Sequence, residues 1–181
     1  MERGERIFVR PLTRADATSL LELRRSNRDF LTPWEPRRDE TFWTLEAQEA
    51  EIERGAVEAA NDQGFAFGIL LNHSEELVGR VALSNIVRGV WQNATLGYFV
   101  GRQHNGKGYA TEAVRLTLRF AFESARLHRV QAGVIPRNAG SIRVLERAGF
   151  RFEGVSPRYL NINGVWEDHR MYAMTVEEWT V

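Results

Sequence analysis

Gln103-His104-Asn105-Gly106-Lys107-Gly108-Tyr109-Ala110 decides how this chain is read. The stretch is polar and punctuated by glycine. A strand-like apolar run, Ala94 to Val100, leads into it, and Ala110, Ala113, Val114, Thr117, Phe120, Ala121 and Ala125 follow at helical spacing. The loop thus joins a strand to the start of a helix. Helix N-termini expose unpaired N–H groups and carry about half a positive charge. Glycines ahead of such a terminus let the backbone close on an anion, so the local physics favours a phosphate ligand.

Three phosphate-binding patterns compete for the loop. A dinucleotide fingerprint, G-x-G-x-x-G, would need a third glycine where Thr111 stands, and it would follow the first strand rather than lie mid-chain. A Walker A loop fits Gly101-x-x-x-x-Gly106-Lys107, but the next residue should be Ser or Thr and is Gly108. No Asp occurs between residues 109 and 152 to help hold magnesium. The third pattern, (R/Q)-x-x-G-x-(G/A), is met by Gln103-x-x-Gly106-x-Gly108.

Working outward, Arg6 to Leu12 alternates as a strand and is ended by Pro11. Thr13 with Asp16 forms a capping-box signature for a helix through Leu20, Leu21 and Leu23. Leu31-Thr32-Pro33-Trp34-Glu35-Pro36 breaks regular structure, and a second helix is expected from Thr41 to Ala60. Phe65–Leu71, Leu77–Ile86 and Ala94–Val100 read as strands, as does Arg129–Ile135. Asn138–Ala148 reads as a short helix stopped by Gly149. Phe150–Gly154 and Val165–Met174 close the chain as strands, with Asn163-Gly164 as a hairpin turn. The order β-α-α-β-β-β-α-β-α-β-β predicts an α/β (α+β) fold: a mixed central sheet of about seven strands with flanking helices. Without a repeat or linker, residues 1–181 are expected to form a single domain.

The chain of 181 residues has 24 Lys plus Arg and 24 Asp plus Glu, a net charge of zero. That balance argues against a polyanion binder, and no direct nucleic-acid binding is expected. Cysteine is absent, which excludes disulfides, thiolate zinc sites and a cysteine nucleophile. The four His are scattered without ligand spacing, so no metal is implied. The charges are segregated: residues 35–79 hold eleven acids and three Arg, and residues 100–151 hold ten bases and three acids. A basic third quarter suits a local anionic ligand. The charged N-terminus has no apolar run behind it, and Phe65–Leu71 is far short of the ~20 residues that cross a bilayer. The expectation is a cytoplasmic protein without a membrane partner.

Further motifs follow the loop in order. Asn138-x-x-Ser141 opens the next helix, and Val144-Leu145-Glu146-Arg147-Ala148-Gly149-Phe150 makes a helix-to-strand junction. Loop, helix, strand, Asn-x-x-Ser helix and Gly-Phe together resemble the GCN5-related N-acetyltransferase (GNAT) superfamily. Asn27-Arg28-Asp29-Phe30-Leu31-Thr32-Pro33-Trp34-Glu35-Pro36, with Leu96-Gly97-Tyr98 and Asn163-Gly164-Val165-Trp166-Glu167-Asp168-His169, resembles its RimJ-like ribosomal-protein-alanine N-acetyltransferases. The likeness extends over nearly the whole chain.

The resemblance implies acetyl-CoA as cofactor. It implies that two parallel strands open into a V, freeing backbone N–H groups near Phe99 and Val100 for the pantetheine arm and thioester oxygen. Gln103, Asn105, Gly106, Lys107, Gly108, Tyr109 and Ala110 would then hold the pyrophosphate, mostly through backbone. Asn138 would contact pantetheine or cap its helix, or do both. Ser141 would donate a proton to the leaving thiolate or order a water; its competing role is that of an ordinary first-turn serine. The base is less marked: an acid that relatives place after the Gly-Phe junction aligns with Arg158. Glu35 is the first candidate and Asp168 the second, against roles as a solvated loop charge and a salt-bridge partner.

The implied acceptor is a protein N-terminal α-amine of a ribosomal protein. With a pKa of about 7.7–8.0, such an amine is partly neutral at pH 7 without a strong base. Phe30, Trp34, Phe42 and Trp43 would border the acceptor groove or simply pack, and the acidic 35–79 region would attract a basic tail. Two other functions stay open: acetylation of a small-molecule amine (polyamine, aminoglycoside or amino acid), and a non-catalytic acyl-CoA-sensing or ribosome-assembly module. A monomer and a homodimer are equally compatible with the sequence.

Overall fold

The computed structural model describes residues 1–180. Two strands begin the chain, β1 (Glu2–Arg3) and β2 (Ile7–Pro11). Thr13 N and Oγ1 both donate to Asp16 Oδ2, at 2.7 and 2.9 Å, and a 3₁₀ turn over Arg14–Asp16 leads into α1 (Ala17–Ser26). A single turn, α2 (Arg28–Leu31), and a 3₁₀ turn at Thr32–Trp34 carry the chain to the proline-flanked Glu35. The next helix, α3, runs Leu45–Ala60 rather than from Thr41. Asp39 caps a separate 3₁₀ turn over Glu40–Trp43, and Thr44 Oγ1 accepts from Ala47 N at 3.2 Å to start the helix. Two adjacent caps split what the composition alone joins.

Three strands follow, β3 (Phe65–Leu71), β4 (Leu77–Val87) and β5 (Asn93–Val100). After the glycine loop come α4 (Tyr109–Arg119), which relaxes into a π-helical turn at Phe120–Ser124, and β6 (Arg129–Val134). The short helix α5 (Ala139–Ala148) stops at Gly149, whose φ of +94° is the left-handed conformation that glycine accepts without strain. Strands β7 (Arg151–Ile162) and β8 (Val165–Thr175) form the final hairpin. Its two-residue turn has Asn163 at φ +48° and Gly164 at φ +90°, both positive as a primed turn demands.

The sheet has eight strands in the order β1-β2-β3-β4-β5-β6-β8-β7. Every neighbouring pair is antiparallel except β5 and β6. Side chains alternate between two cores. Ile7, Val9, Ile69 and Leu71 face the larger one beneath α4 and α5; Phe8 and Leu70 face the smaller one against α1 and α3, with Leu20, Leu23 and Ile52.

The sheet has one strand more than the sequence pattern suggests, because the two residues of β1 are too few to show alternation. Strand β7 also continues eight residues beyond Gly154. It is the edge strand, it is mostly exposed, and its register shifts between Phe152 and Gly154 and again between Ser156 and Leu160. Pro157 sits within the second irregularity, where a missing N–H is harmless on an edge. A solvated, bulged strand carries no hydrophobic period to read.

Candidate active site

Strands β5 and β6 pair in parallel only at Asn93–Arg129, Ala94–Val130 and Thr95–Gln131. From Leu96 to Val100, β5 is bonded only to β4, in the register Leu83–Leu96 to Gly79–Val100. The two parallel strands therefore separate, and the β6-facing backbone edge of residues 96–100 is left without a strand partner. Cavities open on both sides of the gap, one of about 540 Å³ toward α4 and α5 and one of about 300 Å³ toward α1 and α3. Both are bordered by Trp34, Glu35, Tyr98, Phe99, Asn138 and Ser141. The two spaces meet at these six residues.

The glycine loop forms one wall of the larger cavity. Gly101 N donates to Val78 O at 2.8 Å, and a 3₁₀ turn over Arg102–His104 follows. Gly106 and Gly108 lie at φ +77° and +82°, so the tight approach to α4 depends on glycine at both. The first helical bond of α4 runs from Glu112 N to Gly108 O at 3.1 Å. The N–H groups of Tyr109, Ala110 and Thr111 precede it and border the cavity. A Cβ on Gly106 would meet nothing within 4 Å, so the backbone there is open to a ligand. This donor-rich, glycine-lined wall fits a phosphate.

Two distant segments brace the loop. Asn27, fully buried at the end of α1, accepts from Arg102 N at 2.7 Å and donates to Leu23 O at 2.8 Å. Arg6 donates to Lys107 O at 3.0 Å and pairs with Glu112 at 2.8 Å in the first turn of α4. Of the loop residues singled out in the sequence, Asn105, Gly106, Gly108, Tyr109 and Ala110 line the cavity, as do Phe99 and Val100. Gln103 and Lys107 do not; both side chains are exposed, and Lys107 contributes its carbonyl to Arg6. Asn105 turns inward, its amide 3.2 Å from Gly101 O.

Where the cavities meet, Asn138 Oδ1 accepts from Ser141 N at 3.1 Å and so caps α5. The Tyr98 phenol lies 2.8 Å from Ser141 Oγ and 3.1 Å from the Ser141 carbonyl. Burial pushes the Tyr98 phenol well above its usual range, so it keeps its proton at neutral pH. Sequence reading used Tyr98 only as part of a likeness. Leu96, Tyr98 and Val100 share one face of β5 by alternation, and that was the available signal; the contact with Ser141, 43 residues away, is tertiary.

Glu35 completes the junction. Asn163 N, from the β7–β8 turn, donates to Glu35 O at 3.1 Å. Arg137 pairs with Glu167 through two 2.8 Å contacts and lies over the Trp34 ring at 5.7 Å. The hairpin thus straps the Trp34–Glu35 segment against the gap. No basic group lies within 4 Å of the Glu35 carboxylate among the described residues, and burial raises its pKa, opposed by Arg24 and Arg38. Asp168, the second acid considered, accepts from Arg158 N at 2.8 Å and closes the β7 irregularity instead.

Sequence reading missed the basic group behind Glu35. Arg24, Arg38 and Arg80 line the smaller cavity with Glu51, although Arg24 and Arg80 come from α1 and β4. Of the acids of residues 35–79, Glu35 and Glu51 line this cavity, while Glu49 pairs with Arg14, Glu40 with Arg28 and Asp62 with Arg88. Of the aromatic cluster, Phe30 and Trp34 line the larger cavity, while Phe42 and Trp43 pack edge to face at 5.3 Å.

The geometry defines a class. Residues 6–151 match the acetyltransferase (GNAT) domain, and the chain belongs to that family; it is an N-acetyltransferase. It is 45% identical over 174 residues to the probable N-acetyltransferase YjcK of Bacillus subtilis, covering 96% of each chain. It is 36% identical over 178 residues to the ribosomal protein uS5-alanine N-acetyltransferase of Escherichia coli, covering 97% of this chain and 91% of that one. The structure superposes on Mycobacterium smegmatis RimJ in complex with CoA-disulfide with a TM-score of 0.92 at 32% identity, covering 97% and 84% of the two chains. No helix among the described residues is long and apolar enough to cross a membrane.

Proposed function

We propose that this chain transfers the acetyl group of acetyl-CoA to the N-terminal α-amine of a protein, and that the acceptor is a ribosomal protein. One observation carries the reading: two cavities, one walled by a phosphate-type loop, meet at a half-buried carboxylate and a hydroxyl. Relatedness to the uS5-alanine enzyme supports the acceptor class.

In this reading the loop from Gly106 to Ala110 holds the pyrophosphate through backbone N–H groups, and the unpaired edge at Phe99 and Val100 holds the pantetheine arm. Asn138 borders the arm while capping α5. Bound acetyl-CoA supplies an activated acyl carbon. Glu35 takes the proton of the attacking amine; its raised pKa lies nearer that of the amine than an ordinary carboxylate's, which favours proton transfer. Ser141 delivers a proton to the departing sulfur. The phenol has a single proton for two oxygens, and donating it to Ser141 Oγ frees the serine proton to face the cavity. Tyr98 thereby positions Ser141.

Incubation with acetyl-CoA and peptides copying ribosomal-protein N-termini, followed by mass spectrometry, tests the proposal. Mass increments at α-amines are expected. Turnover of polyamines or aminoglycosides with unmodified peptides would replace this reading with a small-molecule one. CoA binding with no turnover of any amine would support a non-catalytic module.

A further inference from the structure

Several of the arginines that have an acid in contact hold it through two nitrogens. Arg10 and Asp16 form two 2.8 Å contacts, Arg137 and Glu167 do the same, and Arg129 pairs with Glu153 through both nitrogens. The smaller cavity breaks that pattern. Arg24, only 3% exposed, is held between the rings of Phe42 and Phe99 at 4.8 and 5.3 Å, and its Nε has no hydrogen-bond partner. Its Nη2 is 2.9 Å from Glu51 Oε1, and Arg80 Nη2 is 3.4 Å from the same oxygen. Two guanidinium groups share one carboxylate. Arg38, over the Phe42 ring at 4.6 Å, has no acid within 4 Å among the described residues.

Around this space, three arginines therefore face Glu51 and Glu35. Arg38 is exposed beside Asp39, whereas Arg24 and Arg80 share Glu51, so one of those two charges has only Glu35 to balance it and is uncompensated once Glu35 has taken a proton. His169, its Nδ1 3.0 Å from Glu167 O, adds no acid. A desolvated cation that must share its one carboxylate is costly, and a guanidinium matches the planar fork of a carboxylate. A basic acceptor tail would worsen the imbalance. Burial also lowers the Arg24 pKa, with Glu51 and Glu35 opposing, as expected of an under-neutralised group.

We propose that the cavity lined by Arg24, Arg38 and Arg80 binds a carboxylate carried by the acceptor a short distance from its reacting amine. The inference rests on the acyl-transfer reading in placing that amine at Glu35. Two sources have this chemistry: an Asp or Glu side chain close behind a peptide N-terminus, and the α-carboxylate of a free amino acid.

The test compares kcat/KM for alanyl peptides carrying Glu or Gln at positions two to four, and for free acidic and neutral amino acids. It uses the wild type and Arg80→Met, which leaves the Arg24–Glu51 contact in place. The acid is expected to be favoured about tenfold or more in the wild type, and by less than about twofold in the variant, with KM for acetyl-CoA unchanged. Equal acetylation of Glu and Gln peptides overturns the inference while N-terminal acetylation stands. Turnover of acidic amino acids alone keeps the carboxylate and removes the peptide. If no acceptor turns over, calorimetry of the acetylated Glu and Gln peptides with CoA present decides, and equal affinities overturn the inference. Arg38→Met repeats the comparison if Arg80→Met does not fold.

Discussion

The two cavities are built by different means. The wall of the larger one is a continuous piece of chain, residues 101–111, in which the helix start leaves the N–H groups of Tyr109, Ala110 and Thr111 without helical partners and two glycines hold positive φ. In the proposed reading its ligand contacts are mostly backbone, so nearly any side chains would serve between the glycines. The smaller cavity is made of side chains from α1, the Glu35 segment, α3, β4, β5, β6, the start of α5 and β8. Its character depends on which charges those elements bring and which they leave unpaired. A backbone site tolerates drift in everything but conformation, whereas a side-chain site can change its acceptor with one substitution. That asymmetry explains why a family can keep one donor and vary its acceptors.

The contrast can be broken at its strongest point first. Gly106→Glu places an anion and a side chain at φ +77° on the phosphate wall, and acetyl-CoA affinity by calorimetry should fall about 100-fold or more, roughly 2.7 kcal/mol. Unchanged affinity in the folded variant would remove the loop from the donor site. Ser141→Ala should lower kcat by about 10²-fold with acetyl-CoA affinity kept, the range for losing a positioned proton donor. A kcat within twofold of wild type would leave Ser141 as a helix-start residue only. Tyr98→Phe should lower kcat less, since it removes positioning and not the donor.

Gly97→Trp sharpens the division between the cavities. Gly97 borders only the smaller one, a Cβ there meets nothing within 4 Å, and its φ is not in the left-handed region. Acceptor KM should rise about tenfold while KM for acetyl-CoA holds; a joint rise would mean that the spaces are not separate sites. Glu35→Gln gives the smallest effect on folding and a diagnostic sign. Because the folded state raises this pKa, it binds more protons than the unfolded chain between the two values, so stability falls as pH rises through that window. The Gln variant should therefore melt higher at pH 8, by on the order of 2–4 °C per kcal/mol of penalty removed. It should also lose the rise of kcat/KM with pH that Glu35 ionisation produces in the wild type. A lower melting temperature at pH 8 would show the carboxylate to be structurally supported.

Legibility in the sequence followed the same division. Strands β2 to β6 and helices α4 and α5 lie within a few residues of the expected limits, because each has a buried face with a clear period. Strand β7 extends beyond the reading because an exposed edge has none. Glu35 was readable as a candidate only by being an acid in an aromatic, proline-bounded loop; its position at the junction depends on the strap from Asn163 and Arg137. The net charge of residues 35–79 pointed toward a basic acceptor, yet Glu40, Glu49, Glu53 and Asp62 pair with arginines away from the cavity.

The amino-acid order alone therefore determined the fold class, the strand–loop–helix unit and the glycine positions of the loop proposed to bind the anion. Those are local properties, set by periodicity, by glycine conformation and by the orphan N–H groups of one helix start. Only the tertiary structure decided that Tyr98 meets Ser141, that Glu35 is half-buried without a cation in contact, and that Arg24 and Arg80 share Glu51 at the second cavity. Desolvation and charge balance depend on neighbours remote in sequence, and no segment contains them by itself.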